Sequence, residues 1–378
     1  MAGARHLAGG LTEVVPVGSG AEKRRFIRYP FVRYRDDPNW VPPLLLAEKE
    51  KFDRKNPFFE HARIELFLAR RAAEVVGRVA AIDDDNHNKT HGDNLAFFGF
   101  FEAKDQDAAL ALLARVEDWA RALGRRAVRG PVNPSLNHSA GFILDAFDSD
   151  PFVMMPHNAP EYPLYIESAG YGKAKDLYAW LFERGWDITR LGRLAERVRK
   201  RHGNLVIRSV DLKRWDVELE RFRDLYNRAW EKNWGFVRYT NAEFDQLARE
   251  FKMVLDPELV ALAEVDGELA GITVVLPDAN QVLKRMGGRL LPFGIFHFLN
   301  RKRIIDQVRL PILGVAPEHR NKGFEVAMIH ELYERVMARG YKRCEASWTL
   351  EDNRAMNHVI EAGGAKRYKT YRIYQKDL

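Results

Sequence analysis

Along this chain the apolar positions change their spacing from every second residue to every third or fourth, and each change predicts an element. Residues 64–70 and 74–82 alternate as the two strands of a hairpin turning at Ala72-Ala73. Residues 95–101, LAFFGFF, read as a strand, and 108–123 as an amphipathic helix closed by Gly124. A strand at 127–130 follows, then helix and strand across 161–180. Further on, 204–210 reads as a strand, and 217–230 and 241–255 as helices. Residues 259–265 and 268–276 form a second hairpin across Asp266-Gly267, a strong turn signal. Residues 312–315 are again a strand, and Ala327, Met328, Leu332, Val336 and Met337 mark the buried face of the next helix. Outside this pattern, 11–17 reads as a short strand and 24–34 as a helix interrupted by Pro30. The stretch DDDNHNKTHGD at 83–93 reads as a solvated polar loop.

The pattern occurs twice. LAFFGFFEAKDQDAALALLARVEDWARALG matches LPILGVAPEHRNKGFEVAMIHELYERVMARG in layout, with Gly99 corresponding to Gly314 and Gly124 to Gly340. The expected fold is α/β (α+β), two tandem copies of a mixed, mostly antiparallel sheet flanked by helices. The expected units are 1–183, a basic connector helix within 184–203, and 204–378. An insertion, 277–306, carries the apolar run LLPFGIFHF between Arg289 and Arg301-Lys302-Arg303, suited to an interface or an alkyl channel. The Met-, Phe- and Pro-rich loop at 145–160 reads as a binding wall.

The copies differ where chemistry would sit. In the second, His319-Arg320-Asn321-Lys322-Gly323 leads into a helix. The first N–H groups of a helix lack internal partners and its dipole is positive there, so this loop suits a phosphate-bearing ligand. In the first, Lys104-Asp105-Gln106-Asp107 brings two carboxylates and no glycine, which repels a pyrophosphate.

Strand, Val-x-Pro-x-x-Arg-x-x-Gly and helix together resemble the acyl-CoA site of the GCN5-related N-acetyltransferase (GNAT) superfamily. The resemblance implies that the Arg320, Asn321, Lys322, Gly323, Phe324 and Glu325 loop holds the CoA pyrophosphate, Glu325 departing from the small residue usual there. It implies a splay beside Pro311, with the thioester carbonyl near Leu313, Gly314 and Val315. An amine would attack directly, which needs a base and a proton donor for the thiolate. The family places a tyrosine seven residues after an asparagine. Here the asparagine is Asn353 and that position holds Ile360, so the tyrosines of a final hairpin, Tyr368, Tyr371 and above all Tyr374, are expected to substitute. Glu345 is the expected base. Asn233, Trp234, Asp278, Asn280 and Trp348 are expected to meet the substrate.

The whole layout, with Asn-Trp-Gly-Phe, Leu-Pro-Asp-x-Asn and Ser-Trp-x-x-Glu-Asp-Asn, is similar to a bacterial tandem GNAT group with which ceramide synthases are associated. That likeness implies acylation of a long-chain or lipid-like amine such as a sphingoid base. The alternatives are an acyl-CoA-binding sensor without turnover, or an aminoacyl-tRNA-dependent transferase.

Composition narrows this modestly. Sixty Lys and Arg against 53 Asp and Glu give a net charge of +7, suited to CoA or an anionic membrane face. No basic strip interleaved with aromatics calls for nucleic acid. The single Cys344 excludes an internal disulfide or a cysteine-built zinc site, and no metal is expected. Without a signal peptide or a run long enough to span a bilayer, a cytoplasmic location is expected, with peripheral contact at the inner membrane face.

Overall fold

Described by the computed structural model are residues 11–183, 185 and 188–378. The chain begins β1 (Glu13–Pro16), α1 (Gly20–Arg33), α2 (Leu45–Glu50), β2 (Ala62–Arg71), β3 (Glu74–Asp84), α3 (Asp85–His91) and β4 (Leu95–Ala103). Next come α4 (Gln106–Ala122), β5 (Ala127–Gly130), β6 (Phe142–Ile143), α5 (Tyr162–Ser168) and β7 (Gly172–Glu183). The connector α6 (Thr189–Arg201) leads to β8 (Leu205–Arg208), α7 (Trp215–Trp230), α8 (Asn241–Val254), β9 (Val260–Val265) and β10 (Glu268–Pro277). The insertion holds α9 (Asn280–Met286), α10 (Gly294–Leu299) and α11 (Arg301–Ile304). The chain closes with β11 (Gln307–Val315), α12 (Phe324–Ala338), β12 (Arg343–Leu350), α13 (Arg354–Ala362) and β13 (Lys366–Asp377). Both halves thus read strand, two helices, hairpin, strand, helix, strand, helix, strand, with insertions at the same point.

The strands form one continuous sheet, ordered β1-β2-β3-β4-β5-β13-β7-β12-β11-β10-β9-β8, with β6 paired to β13. The last strand of each half is exchanged. β13 pairs with β5 from Tyr374↔Gly130 to Asp377↔Ala127, and with β7 on its other edge. β7 in turn pairs with β12 of the second half. The linker near 184–203 therefore divides the chain order but not the sheet. Residues 366–377 are a single long strand after a helix, where a terminal hairpin was expected.

Three local expectations are corrected. Ser19 and Glu22 form a capping box that starts α1 earlier than expected, and the helix runs through Pro30. Proline cannot donate to the carbonyl four residues back, and that carbonyl, on Phe26, instead accepts from Arg78 Nη1 at 3.0 Å. Residues 83–93 are not a solvated loop. β3 continues to Asp84, whose carboxylate accepts from the amides of Asn86 and His87 and starts α3, leaving His87 buried. The insertion, read without a helical stripe, forms three short helices. The basic helix expected over 187–202 is α6; residue 187 lies outside the described residues.

α6 packs on α12. Arg199 pairs with Glu331 at 2.6 Å, and a Cβ on Gly323 would lie 2.7 Å from Val198 Cγ2. Among the described residues no helix is long and apolar enough to cross a membrane, and no group of three His, Cys, Asp or Glu is placed to hold a metal.

Candidate active site

β11 and β12 run parallel and are paired only from Gln307↔Arg343 to Leu310↔Ala346. Pro311 is the next residue, and with no N–H it cannot extend the ladder. Beyond it β11 keeps β10 as partner through Gly314 and Val315, while β12 keeps β7, so the two strands part. The edge of β11 past Leu310 is left without a strand on the β12 side.

A cavity of about 210 Å³ occupies this splay, with Pro311 and Ile312 on one side and Trp348 and Leu350 on the other. Tyr226, Trp230, Asn233 and Trp234 line it from the end of α7 and the following turn. The first half contributes Leu136, His138 and Met154, so the loop at 145–160 does supply part of the wall. Tyr226 and Trp230 stack at 4.7 Å. Trp234 sits between Arg129 and Lys175, each within 5.4 Å of its ring.

In the first half the corresponding gap is filled by the chain itself. Past the β4–β5 pairing, the Val132 amide donates to Phe98 O at 2.9 Å and Asn133 Oδ1 accepts from the Phe100 amide at 2.5 Å. A Cβ on Gly99 would lie 1.6 Å from Val132 O.

Behind the cavity lies a buried polar cluster. Glu345 is fully buried, and its Oε1 accepts from Ser347 Oγ at 2.6 Å. Its Oε2 accepts from the Tyr368 hydroxyl. Arg309, which reaches the cavity wall, donates to Ser347 Oγ at 2.8 Å, to Ser347 O at 3.0 Å and to Val153 O at 3.1 Å. Its Nε is 3.8 Å from Glu345 Oε1, an ion pair rather than a hydrogen bond. Burial, and then the Glu345 charge, push the Tyr368 hydroxyl up, so it stays protonated and donates. Burial pushes the Cys344 thiol up to about 12, which suits a core residue and not a nucleophile.

Asp278 adjoins this cluster. Its Oδ1 accepts from the amides of Val153 at 2.8 Å and Asn280 at 3.1 Å, and its Oδ2 accepts from Gln307 Nε2 at 2.7 Å. Burial raises its carboxyl to about 7. Asn280 Nδ2 donates to Pro151 O at 2.8 Å. These two residues clamp the 145–160 loop and do not line the cavity, whereas Asn233, Trp234 and Trp348 do.

The two equivalent loops differ in the way their helices begin. α12 starts at Gly323, φ 81°, with no side chain capping it. Asn321 is also left-handed, φ 61°. Phe324 is buried, with His319 stacked on its ring at 5.5 Å, while Glu325 is half-buried in the first turn. Arg320 donates to Ala229 O at 2.7 Å, and Lys322 is exposed, 3.1 Å from His319 Nδ1. In the first half the equivalent helix, α4, is closed by Asp105, which accepts from the Ala108 amide and is gripped by Arg71 through two nitrogens. Its end is already occupied by a carboxylate.

The remaining expected residues lie apart. Asn353 caps α13 through the Met356 amide. The Tyr374 hydroxyl donates to Glu167 Oε1 at 3.1 Å and is packed in the first half's core, far in the register from Glu345. Sequence reasoning missed Arg309, Ser347, Tyr226 and Trp230. Only Trp230 carried a signal, as the end of an apolar helical stripe adjoining Asn233-Trp234.

A family model described as Acetyltransferase (GNAT) family matches residues 219–364. A protein of Caulobacter vibrioides (strain NA1000 / CB15N), named bacterial ceramide synthase, is 39% identical over 380 residues, covering 97% of each chain. Protein YghO of Escherichia coli (strain K12) is 33% identical over 365 residues, 94% of this chain and 93% of its own. A solved tandem GNAT protein from the clavulanic acid biosynthesis pathway superposes with a TM-score of 0.58 at 15% identity. That match covers 97% of this chain and 98% of that one, a likeness of fold.

Proposed function

This chain belongs to the GNAT family and is an N-acyltransferase, and from that premise we propose that it moves a long acyl group from CoA to a lipid-like amine, a sphingoid base in class. The observation that carries this reading is the cavity in the β11–β12 splay. Its wall is mostly aromatic and aliphatic, with Asn137, His138, Asn233 and Arg309 as its polar members, and includes no carboxylate. A small polar amine would find few partners there, whereas an alkyl amine would bury its chain.

In this reading the pyrophosphate lies on the uncapped start of α12, with Lys322 adding charge, and the pantetheine runs along the free edge of β11. The amine nitrogen attacks the thioester carbon, the C–N bond forms, the C–S bond breaks, and CoA leaves as a thiolate that takes its proton from solvent. Glu345 takes the ammonium proton. Glu345 is sealed from solvent, so in this reading the proton reaches it by way of Ser347 Oγ, which already donates to it and is itself buried next to the cavity-lining Trp348. Tyr368 holds the carboxylate in place, while Tyr374, expected as the proton donor to the thiolate, is bonded to Glu167 and takes no part in this reading. The first half holds no CoA in this reading, because Asp105 and the Val132-Asn133 backbone fill the equivalent places.

The acceptor would be met at a membrane face. Leu291, Phe293, Phe296 and Leu299 are exposed on the insertion. Residues 279–305 carry Lys284, Arg285, Arg289, Arg301, Lys302 and Arg303 and no Asp or Glu. Aromatic side chains ringed by cations suit an anionic lipid surface.

The deciding experiment incubates the purified chain with palmitoyl-CoA and either sphinganine or a short polar amine, following free thiol and the amide by mass spectrometry. Thiol release with sphinganine is expected. Release only with the polar amine, or with neither, refutes the lipid reading.

A further inference from the structure

Behind the cavity of the splay is a second, smaller space of about 60 Å³, between α7, α8 and the face of β9 and β10. A water needs roughly 10–15 Å³ measured this way, so about four to six groups of that size would fit. Val260, Leu262, Ile272 and Val274 form its floor, and Leu219 and Ala248 belong to its roof. Phe222, Phe244, Leu247, Phe251 and Ile312 line both spaces, so the two adjoin and only these side chains stand between them. The polar group on its wall, Glu218, is held by Arg208 at 2.8 Å. An apolar space of this kind stays dry and takes hydrocarbon.

The equivalent place in the first half is filled. There α1, α2 and the following turn lay Phe26, Phe52 and Phe58 on β2 and β3, all buried, with Phe26 and Phe52 at 5.4 Å and Phe52 and Phe100 at 4.7 Å. The same architecture can close, and in the second half it is left open.

We propose that this inner chamber holds the distal part of the acyl tail and sets the preferred acyl length. This rests on the reading above. The choice of the acyl tail over the acceptor's tail follows from Ile312, the residue shared by both spaces on β11, immediately before Leu313-Gly314-Val315, where the thioester would lie. A chain leaving that carbonyl passes Ile312 and continues between α7 and α8. Trp215, with Lys252 Nζ 5.2 Å from its ring, bounds the far end.

The test is an acyl-length profile for the full chain and two variants, from acetyl- through octanoyl- to palmitoyl-CoA with the acceptor fixed. Ala248→Trp fills the chamber and should lower the palmitoyl-to-acetyl ratio of kcat/KM by about tenfold or more, the scale on which apolar pockets discriminate. Trp215→Ala lengthens it and should move the optimum to longer chains. A second arm varies the amine's chain with acetyl-CoA fixed. An unchanged acyl profile in Ala248→Trp, or a shift in the amine profile alone, overturns the proposal while leaving N-acyl transfer intact. Should the unaltered protein release no thiol, the functional reading fails. The chamber is then judged by thermal stabilisation with the same acyl-CoA series, which must rise with chain length in the unaltered protein and flatten in Ala248→Trp. Equal stabilisation by every chain length, or no flattening, overturns it.

Discussion

The indole of Trp230 lies across the backbone of Gly314, so closely that a Cβ there would stand 2.2 Å from the ring. The end of α7 is seated on β11 just where the strand leaves β12, and only a residue without a side chain allows it. Gly314→Val should overpack the site, costing about 1–3 kcal/mol of stability and weakening acyl-CoA binding. Pairing it with Trp230→Ala should return part of the stability. Thermal melts and calorimetric titration with CoA would check both, and an unaltered melting temperature in the single variant would contradict the packing argument.

Glu345 and Tyr368 should separate chemistry from support. Glu345→Gln should lower kcat by about 10²–10⁴ per folded molecule if the carboxylate takes the proton. It also leaves buried Arg309 without its counter-charge, so folded protein must be quantified alongside. In Tyr368→Phe the carboxylate keeps Ser347 Oγ as its remaining donor, so kcat should fall by less than in Glu345→Gln.

Asp278 makes stability depend on pH. Burial raises its carboxyl from 3.8 to about 7, so the folded chain holds its proton more tightly than the unfolded chain. Its contribution is complete below 3.8 and is lost as pH rises through about 7. Asp278→Asn should remove that decline between those values. Urea denaturation across the range gives the comparison, and parallel curves for the two proteins would reject it.

Cofactor affinity should respond to the rear anion loop alone. Lys322→Ala should raise the KM for acyl-CoA several-fold and flatten its salt dependence. Asp105→Ala should leave that KM unchanged while costing about 1 kcal/mol through the lost cap on α4.

Phe293→Ser with Phe296→Ser should release the chain from vesicles of phosphatidylglycerol, scored by co-sedimentation. Arg289, Lys302 and Arg303, which form no ion pair among the described residues, should account for weaker binding to neutral vesicles.

The periodic elements were legible because their buried faces repeat locally: both hairpins, β4, α4, α7 and α12 lie where spacing placed them. The splay was expected from the family resemblance, and Pro311, which cannot donate to a ladder, fitted it. What was hidden depends on distance or register. Nothing local in residues 366–377 announces a partner at 127–130. The pairing of β13 with β7 shifts twice: between Arg367 and Lys369 the extra residue is on β13 and turns the following side chains to its other face, whereas between Ile373 and Tyr374 the extra residue is Ala174 on β7 and leaves the alternation of β13 unchanged. That is why Tyr368 meets Glu345 while Tyr374 meets Glu167, although simple alternation puts both on one face. His87 was misread because Asp84's cap turns a polar string into a buried helix.

The traded end strands give the front half a structural duty. Severed behind 183, the rear half would lose the neighbour that supports β12, the strand carrying Glu345 and Trp348. The front piece acts as a permanent splint for its working sibling. Supplied as two separate polypeptides, the halves should recover activity only when refolded together.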